Sequence, residues 1–558
     1  MIRNAKRRAA LIAVAGTAIL GIGLSGCAGG GGDDSGESDG RTLRVWAGSQ
    51  TPIEANFNPF SPSVLHAALG PIYEPLFFYN KTADEAPEPM LGESFEYNED
   101  GTVITVKLKD GVKWNDGEDF TAEDAAFTFN YEPNHRDGLS SAEATDDSTV
   151  VLTYETPQFT NEFQILGTTW MLPEHIWSEV DDYTTFTDEE PVGTGPYVVD
   201  KVTDASYTVV ANDDFRDEGV PAIKKVQYIG IDANQSAQDL LTAGELDWTG
   251  MFVPNPDSVT SNGVISMLNT PQDPTVLYTC SNADLGCTGP QTDVAVRQAI
   301  NLAMDRQEIN EKAFAGLAAT ASPTFALLGR DDRWISPDVE AESPQTADAA
   351  AASKVLEDAG YTKGADGIYE KGGQKVELTL ITVDGWNDYN AVGDLLVEQA
   401  KAAGIAIVHN KVTQQEMSDA RVAGTYQLMV GGITGPSLDD PFSIYRQWMT
   451  TDYTRPVGEV MESGLFNYVR YTNPTVDAAV DAAASTNDEA AKQEQYAVIQ
   501  EEIVRDLPYI PVVVNASQTF MDTKDFTGWP TEDDLYAFPP SWSTVSLGVV
   551  LSKLEPTS

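Results

Sequence analysis

The amino-acid sequence predicts an α/β fold. Residues 103–109, VITVKLK, alternate apolar and polar side chains as a half-buried strand does. Asp293 precedes a run that places Val296, Ile300, Ala303 and Met304 on one side of a helix, and it can cap that helix. Residues 391–403 read as a helix stopped by Gly404, and Ile405–Val408 follow as a strand. Helices and strands that alternate in this way pack as layers of an α/β domain.

The remaining elements follow in chain order. Residues 42–46, TLRVW, open the body as a strand, and Asp100-Gly101 and Asp116-Gly117 are turn signals. Thr121, with Asp124 three residues later, marks a helix start before AAFTFNY. TVVLTY (149–154) and SYTVVA (206–211) are strand-like and flank LPEHIW (172–177) and the turn GTGPY (193–197). The helical run after Asp293 continues through Phe314. Residues 348–359 form a helix stopped by Gly360, and residues 476–506 read as one long helix ended by Pro508. A length of 558 residues accommodates two to four domains.

Charge and cysteine usage narrow the function classes. Acidic residues number 86 against 34 basic ones, a net charge of −52, which disfavours nucleic acid and anionic lipid as partners. The four histidines are scattered and no CxxC, HExxH or HxH spacing occurs, so no metal or cofactor is expected. Residues 96–107 imitate a calcium loop but put Lys107 where a bidentate Glu is needed. Gly36-Glu37-Ser38-Asp39-Gly40 matches GxSxG without the strand before it that a nucleophile elbow requires. No catalytic pattern survives, and the reading is of a non-enzyme.

The N-terminus carries Arg3, Lys6, Arg7 and Arg8 and then the apolar run 9–24, the layout of a secretory signal. Leu24-Ser25-Gly26-Cys27 resembles the bacterial lipobox. That implies a lipoprotein signal peptide over 1–26, cleavage before Cys27 and a lipid anchor on its thiol. Residues 27–41 then form a polar tether with a typical span of about 20 Å. In an oxidising compartment Cys280 and Cys287 can close the loop CSNADLGC as a disulfide.

Seven segments, in order over most of the chain, resemble the large solute-binding proteins of ABC importers, family 5 (the peptide, nickel and oligosaccharide class). They are Tyr73-Glu74-Pro75-Leu76; 100–129, from the DG turn through TAED; GTGPY; Leu241 to Asp247; VRQAINLAMDR at 296–306; Ala359-Gly360-Tyr361; and IQEEIVRDLPYIPV at 499–512. The resemblance implies a two-lobed, periplasmic-binding-protein-like α/β fold with three subdomains, of the large cluster C type. Lobe I would comprise 42–78, 191–274 and 509–558, with an inserted subdomain at 79–190. Lobe II would be 275–508. The implied partners are an oligosaccharide or oligopeptide ligand, ABC permease subunits and the membrane through the lipid anchor. The protein would act as a monomer on the extracytoplasmic face of the cell membrane. No Walker motif occurs, so the energy source lies on other chains.

Within the family, peptide binders hold the ligand amine with an acid four residues before a proline. Here Ser437 stands four residues before Pro441, and Asp439 and Asp440 are out of register. Asn56-Phe57-Asn58-Pro59-Phe60, LPEHIW and Asp384-Gly385-Trp386-Asn387-Asp388-Tyr389 resemble the cello-oligosaccharide branch. Sugar rings lie on aromatic faces while neutral polar groups take their hydroxyls. The expected ligand is therefore an oligosaccharide, with an oligopeptide as the alternative. The candidate ligand residues are Trp46, Asn56, Asn58, Trp170, Trp386, Asn387, Ser437, Asp439 and Trp448, with Trp529 and Trp542 as further aromatic candidates.

Overall fold

Two long antiparallel strands, Ile265–Thr279 and Tyr509–Asp522, form the spine of the molecule. The structure is a computed structural model, and it describes residues 41–47, 52–134, 136, 138–231, 233–433, 440–462 and 464–557. The two strands lie in the middle of a ten-stranded sheet and belong to both of its halves. On one side follow Trp248–Gly250, Leu43–Trp46, Lys225–Ile229, Ser206–Ala211 and Tyr197–Thr203. On the other follow Leu428–Gly432, Glu377–Val383 and Ala406–Val412. Each half has its own apolar core. Val45, Tyr207, Tyr228, Trp248 and Leu547 share one, whereas Tyr278, Trp448 and Tyr509 share another. This is the two-lobed α/β architecture.

A separate antiparallel sheet of Gly92–Tyr97, Val103–Leu108, Thr149–Tyr154 and Leu139–Asp146 packs against helix Ala122–Asn130. The helix starts at Thr121 in a full capping box: the Thr121 side chain accepts from the Glu123 amide, and Asp124 accepts from the Thr121 amide at 2.9 Å. Val106, Trp114, Phe129 and Leu152 fill the core of this segment.

The residues that carry the family resemblance hold the frame together. Glu74 accepts both terminal nitrogens of Arg216, at 2.6 and 2.8 Å, and the Thr194 hydroxyl at 2.9 Å. That bond ties the YEPL segment to GTGPY. Gly193 and Gly195 lie so close to the Ile72 and Pro71 carbonyls that a Cβ would stand 2.2–2.3 Å from them. Asp247 accepts Arg44 through both carboxylate oxygens and fixes the edge of the first parallel strand. Arg306 is buried without a carboxylate and instead donates to the carbonyls of Pro511 and Pro344.

Three helices depart from expectation. The run after Asp293 is two helices, Val294–Ala303 and Arg306–Ala313, because Asp305 turns outward and accepts from the Glu308 amide to cap the second. The run 476–506 is likewise two, Pro474–Ala484 and Glu489–Asp506, with Asp488 capping the second. The helix expected from 391 begins at Asn387.

Candidate functional site between the lobes

Strand direction locates the site. In one half of the sheet Leu43–Trp46, Lys225–Ile229 and Trp248–Gly250 run parallel. In the other, Glu377–Val383, Ala406–Val412 and Leu428–Gly432 run parallel. Gly250 pairs with Thr519, on the hinge side of Met521, and Gly432 pairs with Thr275. Both sets of strands therefore point their C-terminal ends at the hinge from opposite sides. Open α/β sheets bind ligands beyond those ends.

Three aromatic rings stand exposed there. Phe252 is 42% exposed just past Gly250, Trp386 is 40% exposed just past Val383, and Trp542 is 40% exposed with its indole N–H on the Gly250 carbonyl at 3.1 Å. They are the only exposed large aromatic residues among those described. Trp386 is braced edge-on by Tyr389, whose hydroxyl lies 3.4 Å from that of Thr275 on the spine. Asn387 follows at the first turn of its helix and is exposed.

At the floor, three chain segments meet. The Lys81 ammonium lies 4.1 Å from the Phe538 ring centroid. Burial lowers its pKa to about 8, while Asp273 on the spine draws it up and Arg330 pushes it down. Arg330 donates to the Lys81 carbonyl and is itself held by Asp331, while Arg333 pairs with Asp84 at 2.9 Å. These contacts join residues 81–84 to the other lobe.

Farther out, a cleft of about 580 Å³ separates residues 158–165 from the opposing wall of Trp334, Phe442 and Arg446. A neighbouring recess of about 450 Å³ shares Phe159, Glu162 and Asn487 with it and extends towards Tyr97. Burial raises the Glu162 carboxyl above its usual range, and hydroxyl donors from Tyr79 and Tyr97 oppose that rise. Among the described residues no three His, Cys, Asp or Glu side chains converge on a metal position.

Of the other expected ligand residues that the structure describes, each has its side chain packed or bonded within the protein. Trp448 is 4% exposed and wedged among Tyr278, Phe466, Tyr468 and Tyr509, so no face is left for a ligand. Trp46 and Trp170 are core residues, and the indole of Trp46 donates to the Ile231 carbonyl. Trp529 is also buried, donating to the Asp522 carbonyl. Asn56 donates to the hydroxyls of Ser61 and Ser63 and shapes a turn. Asn58 is buried and donates to the carbonyls of Tyr183 and Phe186. Cys280 and Cys287 are disulfide-bonded with their Cα atoms 5.4 Å apart. Cys27, Ser437 and Asp439 lie outside the described residues. Phe252 was missed; its signal was one aromatic residue directly after a short strand, in WTGMF.

The model of the bacterial extracellular solute-binding proteins, family 5 middle region, matches residues 86–455. The chain belongs to that family. It is a solute-binding protein of the ABC-importer type, and its kind is extracytoplasmic. This solute-binding protein is 27% identical over 444 residues to the oligopeptide-binding protein AppA of Bacillus subtilis, covering 75% of this chain and 76% of that one. It superposes on an oligopeptide ABC transporter periplasmic oligopeptide-binding protein of Thermotoga maritima at a TM-score of 0.82 and 25% identity, covering 93% of this chain and all of the other. The same Thermotoga protein with mannohexaose bound superposes at 0.73, with 25% identity and 94% of this chain covered. No helix among the described residues is long and apolar enough to cross a membrane.

Proposed function

We propose that this solute-binding protein captures an oligosaccharide between its lobes and hands it to the permease of an ABC importer. The observation that carries the reading is the placement of Trp386, Trp542 and Phe252 at the strand ends of opposite lobes. Exposed rings facing a hinge supply flat apolar platforms, and lobe closure desolvates whatever lies on them. The mannohexaose complex of the similar Thermotoga protein supports the same reading. An oligopeptide is the second reading, favoured by the name of the Bacillus relative and by the cationic residues of the outer cleft.

Thermal shift of residues 41–558 against panels of oligosaccharides and peptides tests it. An oligosaccharide at about 100 times its Kd adds about 2.7 kcal/mol of stability. Trp386→Ala and Trp542→Ala should each weaken that binding about 5- to 50-fold, the value of one aromatic platform. Stabilisation by peptides alone overturns the sugar reading.

We also propose that Cys27 carries the lipid that keeps the protein at the membrane, with residues 27–41 as its tether. Cys27→Ala should leave the fold intact and release the protein from the membrane fraction. A variant that still needs detergent for extraction refutes the anchor.

A further inference from the structure

Helix Asn387–Ala402 begins directly after Trp386, and a chain of polar side chains fastens it to the strands beneath. The Thr382 hydroxyl lies 2.7 Å from Nε2 of His409, and Nδ1 of His409 lies 2.8 Å from Asp394. Hydroxyl, imidazole and carboxylate stand in the order of a hydrolase triad. Thr382 is 0% exposed and the His409 side chain 4%, so no substrate reaches the hydroxyl. What the chain holds instead is a proton.

The direction of each bond follows from the one before it. The Asn390 side-chain nitrogen donates to the Val383 carbonyl at 3.1 Å, so its oxygen faces Thr382. That oxygen can only accept, and it takes the Thr382 proton at 2.5 Å. A hydroxyl has one proton, so Thr382 has none left for His409, and Nε2 must be the donor. On the other side of the ring stands Asp394, whose carboxyl the His409 bond holds below its usual range. A carboxylate can only accept, so Nδ1 donates as well. An imidazole that donates from both nitrogens is charged. The groups that face it suit that charge. Asp394 on the helix is its counter-ion, and Lys411 on its own strand lies 3.3 Å from the second Asp394 oxygen. The adjacent strand Glu377–Val383 presents the neutral Thr382. Gly393 lies over the ring, where a Cβ would stand 2.5 Å from Cε1, so the helix seats directly on the imidazole.

The chain ends at an exposed ring. The Val383 carbonyl that accepts Asn390 also accepts the Trp386 amide at 3.1 Å, and the Asn390 amide donates to the Trp386 carbonyl at 2.8 Å. Trp386 is thus held through Asn390, Asn390 through Thr382, and Thr382 through His409. Loss of one ring proton breaks this order. With Nε2 bare, the Thr382 proton turns to it and the Asn390 oxygen loses its donor. With Nδ1 bare, a lone pair faces a carboxylate. We infer that His409 is a positioning residue for Trp386, acting as an imidazolium whose loss of a proton loosens the platform and weakens ligand binding. The inference rests on the reading of Trp386 as a ligand platform and adds a proton to its control.

Histidine labelled with 15N reports the protons directly, since the chain has four histidines and a His409→Gln variant identifies the signal. In the ligand-free full chain both nitrogens of His409 should carry protons at about pH 7. A neutral tautomer with one bare nitrogen at that pH overturns the inference. Calorimetry then follows the affinity for mixed manno- and cello-oligosaccharides from about pH 6 to about pH 9. Affinity should fall roughly 3- to 10-fold as the His409 proton is lost, the worth of one hydrogen bond. Lys81, brought to about 8 by burial, titrates in the same range, and Asp394→Asn separates the two. That variant puts an amide donor against Nδ1, so the ring completes the same chain while neutral. It should bind within about twofold of the parent at neutral pH and lose the part of the fall that belongs to His409. Its ligand-free melting temperature reports folding independently. No fall in the parent, or the same fall in Asp394→Asn, overturns the inference and leaves solute capture standing. Binding of none of the oligosaccharides at any pH overturns the sugar reading, and the coupling to Trp386 with it, even where His409 carries both protons.

Discussion

Asp188 shows how a single buried group shapes the behaviour of this protein. It is 4% exposed, and its carboxylate accepts the Tyr73 hydroxyl at 2.6 Å. Burial raises its pKa from 3.8 to about 6, and the tyrosine bond only partly opposes the rise. The folded state therefore holds this proton more tightly than the unfolded chain does. The stability it contributes is complete below about pH 4 and is lost as pH rises through 6. Asp188→Asn keeps an acceptor for Tyr73 and removes the ionisation. At pH 7 the variant should be more stable than the parent by on the order of 2 kcal/mol, and at pH 4 the difference should vanish. Urea unfolding at both pH values measures it, and a gap independent of pH contradicts the assignment. Residues of this kind were invisible in the sequence, because nothing local marks Asp188 as buried. The motif residues were conspicuous for a different reason than ligand binding. Glu74, Thr194 and Asp247 stand out because each holds a half-buried arginine or joins two distant segments.

At the scale of elements, legibility depended on whether the signal was local. Thr121 and Asp293 were readable as helix starts because a cap is a matter of two to four residues, and both make the cap bonds expected of them. The strands at 103–108 and 149–154 were readable because each alternates in burial, and 206–211 because its run of β-branched and aromatic residues suits a strand. The breaks inside the two long helical runs were hidden by good periodicity on either side. Asp305 and Asp488 each leave helical geometry to cap the next helix, and an Asp inside a periodic run gives no warning of this. The tryptophans failed for a related reason. Indole suits a sugar platform and a packed core equally well, and only the tertiary fold separates Trp386 from Trp448. Trp386 stood out through the likeness of DGWNDY to the cello-oligosaccharide branch, whereas Phe252, which also follows a strand that ends at the hinge, carried no such likeness and needed the strand order to be known first.

Lobes that close on a ligand must do so without losing the spine they share, and the register of the spine suggests a pivot. Strand Ile265–Thr279 carries Pro271 and Pro274, and its partner carries Pro511 opposite Val276. A proline has no N–H to give to the ladder. The pairing slips between Pro271 and Asp273 and again between Thr275 and Val276. On either side it is regular, from Ile265 opposite Asp522 to Pro271 opposite Ala516, and from Val276 opposite Pro511 to Tyr278 opposite Tyr509. The segment 271–275 therefore has the fewest ladder bonds to strain, and it lies between two halves that have separate cores. Rotation of the lobes is expected to concentrate there, beside Tyr389, whose hydroxyl meets Thr275, and beside Lys81, which feels the charge of Asp273. Hydrogen exchange of the ligand-free protein tests this. The amides of Gln272 and Asp273 should exchange roughly a hundredfold faster than those of Leu268 and Leu277, because local opening at the slips does not require the flanking ladders to part. Saturation with ligand should slow the hinge amides and leave Leu268 and Leu277 unchanged, since closure orders the hinge and not the lobes. Uniform protection along 265–279 in both states would place the pivot elsewhere.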